Sequence, residues 1–132
     1  MIIQKKKDFT YRGKTISELQ ALDVREFAKY LKSRSRRTVL RNFQEIEKFV
    51  NDAKEKLTRD KKIRTHKRDI IIVPAMIGMK MQIYNGKTFE PMEVTGEMLG
   101  HRLGEFAPSR KRVQHGSAGI GATKGSKHKA KK

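Results

Sequence analysis

Residues Met79 to Ser109 read MKMQIYNGKTFEPMEVTGEMLGHRLGEFAPS, and the fold turns on this stretch. Two apolar segments flank Asn85-Gly86, a pair favoured in type I′ hairpin turns because both central residues take positive φ. Ahead of the turn, Met79, Met81 and Ile83 alternate with Lys80, Gln82 and Tyr84, the period of a half-buried strand. The return strand, Thr88 to Val94, is interrupted by Glu90 and Pro91. Thr95 then caps a short helix, and Gly100 ends it in a left-handed conformation. Leu103 to Ser109 form an irregular exit strand anchored by Phe106.

Upstream, Asp69 to Pro74 is a β-branched run stopped by proline, which predicts a strand buried on both faces or lying in the sheet centre. Ala75 to Gly78 is a turn or a single helical turn. Thr58 to Arg68 carries seven basic residues, counting His66, against one Asp, and reads as an exposed arm leading into that strand. Val39, Phe43, Ile46, Val50, Ala53 and Leu57 step by four and three, which predicts one helix from about Thr38 to Leu57 with a core-facing stripe. Lys32 to Arg41 (KSRSRRTVLR) mixes basic residues with Ser and Thr and contains no acid, so it reads as a phosphate-binding loop. Earlier still, Thr15 to Glu18 has capping-box spacing. Asp23 offers a second helix start, with Val24, Phe27, Ala28 and Leu31 on one face. Residues 1–14 look extended, and Lys5-Lys6-Lys7 is a solvated basic run.

Charge divides the chain into three zones. The whole carries +18 over 132 residues, yet Asp69 to Ser109 sums to −2. Residues 1–68 carry +12 and residues 110–132 carry +8, with no acid in the latter. A nearly neutral scaffold therefore holds basic arms, which implies a polyanionic partner. The tail from Arg110 to Lys132 has almost nothing to bury and does not offset its ordering entropy alone.

Several functions are argued against. No run of 18 apolar residues is present, so no membrane span is expected, and MIIQKKKDFTYRGK lacks the pattern of a secretory signal. Without Cys there is no disulfide and no Cys-containing zinc site, and a reducing cytosolic setting fits. His66, His101, His115 and His128 are too scattered for a sequence-local metal motif. Glu97 and Glu105 do not mark a catalytic pair. Gly119 to Lys127 (GIGATKGSK) lacks phosphate-loop spacing. No aromatics form the sheet-surface pattern of an RRM, so little base stacking is expected. No enzyme, no metal and no cofactor is expected.

The motifs NGK at Asn85, MLGHRLGEFAPS at Met98 and IVPAMIG at Ile72 together closely resemble the small-subunit ribosomal protein nineteen family, over roughly Arg36 to Gly116. RTHKRDIII and RKRVQHG are similar to its archaeal and eukaryotic branch. The resemblance implies a non-enzymatic constituent of the head of the small ribosomal subunit, bound to the 3′ domain of small-subunit rRNA. It implies ribosomal proteins thirteen and fourteen as neighbours, and a tail reaching toward the tRNA sites. It gives a cytoplasmic, ribosomal location with no membrane and no small-molecule substrate. Two departures stand out: Ala75 replaces the usual Glu, and the tail ends in lysines rather than an aromatic-proline-leucine sequence.

The expectation is an α+β protein: N-terminal helices packed with a small, mainly antiparallel three-stranded sheet, and a flexible basic tail. Residues 1–68 form the helical and basic segment, 69–109 the sheet core and 110–132 the tail, all in one globular domain. The expected RNA contacts are Arg34, Arg36, Arg37 and Arg41; Lys62, Arg64, His66, Lys67 and Arg68; His101 and Arg102; and Ser109, Arg110, Lys111, Arg112 and His115. His101 reads equally as a buried capping residue. The rival class is a DNA-compacting protein, which shares the charge but gives no reason for GHRLGEFAPS.

Overall fold

The computed structural model describes residues 8–128; the Lys5-Lys6-Lys7 run and the last four residues lie outside them. The chain opens on a two-stranded ribbon, β1 (Thr10–Tyr11) and β2 (Lys14–Thr15), with Tyr11 opposite Lys14. Its two-residue loop is Arg12-Gly13, at φ +51° and +80°. This is where the chain uses paired positive φ in a two-residue hairpin loop, and Gly at the second position allows it.

Thr15 starts α1 (Ile16–Gln20) with a full capping box: the Glu18 carboxylate accepts from the Thr15 N–H at 3.0 Å, and Thr15 Oγ1 accepts from the Glu18 N–H at 3.4 Å. At α2 (Val24–Phe27), Glu26 reaches back to the Asp23 N–H at 3.4 Å. The chain continues as a 3-10 turn, Ala28–Tyr30, and leaves it extended at Leu31. Phe27, Ala28 and Leu31 are buried as the spacing predicts, while Val24 is half-buried.

The segment expected to be a loop is a helix. α3 (Ser33–Arg41) spans the basic run, and α4 (Phe43–Thr58) follows across Asn42. The single helix expected from Thr38 is thus two, separated by one non-helical residue with φ −114° and ψ 23°. Val39, Ile46, Val50 and Ala53 are buried as their spacing requires, whereas Leu57 is 45 % exposed at the last turn of α4. Charge density read as loop character hid α3, yet Arg is a good helix former and its charge does not exclude a surface helix.

The three-stranded sheet has the order β3–β4–β5: β3 (Ile63–Thr65), β4 (Lys80–Tyr84) and β5 (Phe89–Glu93). β4 and β5 are antiparallel, while β3 runs parallel to β4 with Ile63 opposite Met81. The class is α+β as expected, but the third strand comes from within the presumed arm. Ile63 and Thr65 are buried on either side of exposed Arg64, an alternation too short to stand out in a basic run.

Ile70 to Val73 is buried as expected but is not in that sheet. It pairs instead with the segment around Arg102. Ile72 N–H donates to His101 O (2.8 Å), Leu103 N–H to Ile70 O (3.0 Å), and Ile71 bridges to Arg102. These bonds satisfy buried backbone that would otherwise be orphaned. Together with Met76, Met79, Met81, Ile83, Val94, Leu99, Leu103 and Ala107, these residues complete the core.

The hairpin lies where expected, with a different turn. Tyr84 faces Phe89, so the loop holds four residues, and of Asn85 and Gly86 only Gly86 has positive φ, at +99°. Asn85 Oδ1 accepts from the N–H groups of Lys87 (2.9 Å) and Thr88 (2.8 Å), an Asx-type turn. Asn85 N–H donates to Thr88 O, and Val94 N–H to Met79 O, so the Gln82–Pro91 pair falls between bonded pairs. Pro91 therefore turns its nitrogen to the free edge of β5, where no ladder bond is lost.

After β5 the backbone makes 3-10 turns, Gly96–Met98 and Leu103–Phe106. Thr95 occupies the cap position without a side-chain bond, and Gly100 at φ +81° closes the first turn as expected. The exit strand is instead the second turn, seated by buried Leu103 and Ala107, with Phe106 half-buried beside them. Gly86→Val is expected to destabilise the protein by about 1–3 kcal/mol, because a β-branched residue is strained at that φ. Thermal unfolding by circular dichroism checks it; an unchanged midpoint would show the turn tolerates a side chain.

Candidate nucleic-acid interface

On α3, at 3.6 residues per turn, Arg34, Arg37 and Arg41 lie within about 60° of one another, and all three are exposed. They make a basic ridge. Arg36 points the other way. Its Nε donates to Ala28 O at 3.2 Å, and one terminal nitrogen donates to Lys29 O and Leu31 O, each at 3.1 Å. Arg36 thus ties α3 to the preceding 3-10 turn through Nε and one terminal nitrogen, while the residue itself stays exposed.

Around β3 the basic residues also divide. Arg64 is exposed, and its Nε donates to Gln82 Oε1 at 2.9 Å. Lys67 meets Glu45 of α4 at 2.8 Å, an ion pair with both side chains about half exposed and therefore worth little to stability. Arg68 is half-buried and turns inward. It donates to Tyr84 O (2.6 Å), Gly104 O (2.7 Å) and Ala107 O. A groove between α4 and β3 is lined by Lys48, Lys56, Arg64, His66 and Lys67, together with Asp52.

His101 is exposed, and its Nδ1 lies 2.6 Å from a Glu105 carboxylate oxygen, so the buried-capping alternative does not hold. The Arg102 guanidinium donates to Asp69 O at 3.3 Å. Lys32 at the start of α3 shares a hollow with Ser35, Gly100, His101 and Glu105, which brings the helix beside the glycine turn. Ser109, Arg110, Lys111, Arg112 and His115 are all exposed on the chain leaving Ala107. The first three line a cavity with Asn85, Lys87 and Thr88 of the hairpin loop.

The cations thus gather into three exposed sets: the α3 ridge, the α4–β3 groove, and the hairpin loop with the exit segment. Sequence reasoning missed Lys48, Lys56 and Lys87. It also missed that Tyr84, Phe89 and His66 meet: their ring centroids lie 4.6 to 5.2 Å apart. The alternation that placed Tyr84 opposite to Ile83 was the available signal. Farther out, the tail forms a 3-10 turn at Lys124–Ser126, held by Ser126 Oγ against Gly121 N–H at 3.0 Å, and residues 110–125 stay exposed. No cluster of three or more His, Asp or Glu with metal-binding geometry occurs among the described residues.

These features define a small basic protein whose surface cations flank a fixed core, and the relatives place it among ribosomal proteins. The family model described as ribosomal protein S19 matches residues 6–115. A small ribosomal subunit protein uS19 of Methanocella arvoryzae is 50 % identical over 126 residues, covering 95 % of this chain and 88 % of its own length. The uS19 of Methanococcoides burtonii is 44 % identical over 128 residues, covering 94 % and 89 %. The chain belongs to the ribosomal protein S19 family, in its archaeal-type branch. That family is structural and non-enzymatic.

Arg68→Ala is expected to cost about 1.5–3 kcal/mol, since a charged donor is lost and carbonyls are stranded. Arg37→Ala should stay within about 0.5 kcal/mol of the unaltered chain. Urea midpoints decide between them; equal midpoints would show that Arg68 is not a fold-holding residue.

Proposed function

We propose that this protein is a structural constituent of the small ribosomal subunit, cytoplasmic and seated in the subunit head, where it binds the 3′ domain of small-subunit rRNA. Ribosomal proteins thirteen and fourteen are its neighbours in this reading, and the tail extends toward the tRNA sites. The observation that carries the reading is the arrangement of exposed cations around a near-neutral core. Arg34, Arg37 and Arg41 stand on one helical face, and Arg110, Lys111 and Arg112 leave the core beside the hairpin loop.

The mechanism is neutralisation of phosphates by side chains whose positions the fold sets. Arg34, Arg37, Arg41, Lys62, Arg64, Arg110, Lys111 and Arg112 meet phosphate oxygens directly. Arg36 and Arg68 also set the geometry, because each spends several guanidinium donors on backbone carbonyls. Lys67 exchanges its exposed Glu45 partner for phosphate at small cost. Arginine suits the task because its planar fork matches phosphate in two bonds.

Binding to a transcript of the small-subunit rRNA 3′ domain should weaken steeply with salt. With about six phosphates neutralised, log affinity should fall with log salt at a slope of about −4 to −5. A slope near zero would refute the electrostatic mechanism. Equal affinity for DNA of matched length would favour a general nucleic-acid compactor instead.

Deleting residues 116–132 should leave the far-ultraviolet circular dichroism of the core unchanged, because residues 116–125 bury nothing. The five lysines removed should flatten the salt slope by about 2 to 3 if three of them engage phosphates. An unfolded truncation would make the tail part of the core. An unchanged slope would make it a solvated terminus.

A further inference from the structure

We infer that the outward face of the three-stranded sheet is a stacking site for an unpaired RNA base, built on His66, Tyr84 and Phe89 with Arg64 beside them. The inference deepens the rRNA-binding reading and rests on it.

The site follows from strand alternation. Ile63, Met81 and Ile83 are buried on the inner face, so Arg64, Gln82 and Tyr84 point outward. The register brings Phe89 opposite Tyr84, and His66 lies just past the end of β3. The three rings meet pairwise: His66 to Tyr84 at 4.6 Å, His66 to Phe89 at 5.2 Å and Tyr84 to Phe89 at 5.1 Å between centroids. Tyr84 and Phe89 are half-buried, while His66 is exposed. A cluster serving only the fold would gain most by burying its largest apolar faces; this one leaves its outermost ring open to solvent.

Charge selects the occupant. The Arg64 guanidinium lies 5.4 Å from the Phe89 ring centroid and spends its Nε on Gln82, which leaves its terminal nitrogens for another partner. Lys62 and Lys80 border the same sheet surface, with Glu93 as the acid there. On the other side the α4–β3 groove carries Lys48, Lys56 and Lys67. An apolar peptide would bring no counter-charge to Lys48, Lys56, Lys62 and Lys80; among the described residues, Lys67 alone of this set is ion-paired, with Glu45. A nucleotide supplies both a flat π surface and an adjacent phosphate, the pairing on which single-strand sites are built.

The test uses the full chain and two RNA probes: a single-stranded oligoadenylate with one 2-aminopurine, and a blunt duplex of the same length. Binding of the unaltered protein should quench the 2-aminopurine. His66→Ala should lower the ratio of single-strand to duplex affinity roughly tenfold, within the range for losing one stacked base. The salt slope on the single strand should not move, since no phosphate contact is removed. His66→Phe should restore the ratio. Absence of quenching, an unchanged ratio in His66→Ala, or failure of His66→Phe to restore it would overturn the stacking site. A flat salt slope in the unaltered chain would overturn the rRNA reading beneath it instead. Quenching on the unaltered chain is read without any variant, so a folding defect in His66→Ala does not leave the matter open.

Discussion

The guanidinium of Arg68 is the tie on which the C-terminal half depends. It reaches carbonyls at Tyr84, Gly104 and Ala107, which lie 16, 36 and 39 residues further along the chain. Those carbonyls belong to a strand end and to a 3-10 turn with its outgoing residue, places where no ladder partner is assured. Charged donors make the stronger hydrogen bonds, so one side chain closes several gaps at once. Gly104 completes the arrangement. Its N–H donates to Arg68 O at 2.9 Å, and a Cβ there would stand 2.9 Å from Arg68 Cβ and 3.0 Å from Arg68 O. The glycine permits the close approach, and the arginine makes use of it. Without that contact, Leu103 and Ala107 would lose the backbone frame that sets them in the core.

Some of the architecture was legible because its causes are local. The capping box at Thr15 and the left-handed Gly100 each depend on a few adjacent residues. The alternation from Met79 to Ile83 reports burial directly. What escaped was non-local. Ile70 to Val73 looks like a sheet strand by composition, but its partner is the segment at Gly100 to Gly104, and no local pattern states that pairing. β3 hid in a basic run because only Ile63 marks it as apolar. The helical state of Ser33–Arg41 was masked by reading charge as loop character, although charge alone does not choose between a solvated helix and a loop.

The same limit applies to the surface. Neighbouring basic residues in a stretch of sequence look alike, and only the fold sorts them. Arg36 and Arg37 are neighbours, yet one binds three backbone carbonyls and the other stands on the exposed ridge. Arg64 and Arg68 divide in the same way. Net charge therefore overstates the number of cations free to meet a polyanion. The near-neutral centre has a physical role here: it lets a small core close without like-charge repulsion, while the repulsive segments sit where a partner can neutralise them.

Pro91 has a consequence outside the bound state. β5 is the edge of its sheet, and a bare edge offers donors and acceptors on which a second chain can add a strand. Pro91 places a residue with no N–H at the middle of that edge, its nitrogen aimed outward. A docking strand would find a gap in the donor row and a ring in the way. The chain is thus spared one route to self-association through this sheet edge.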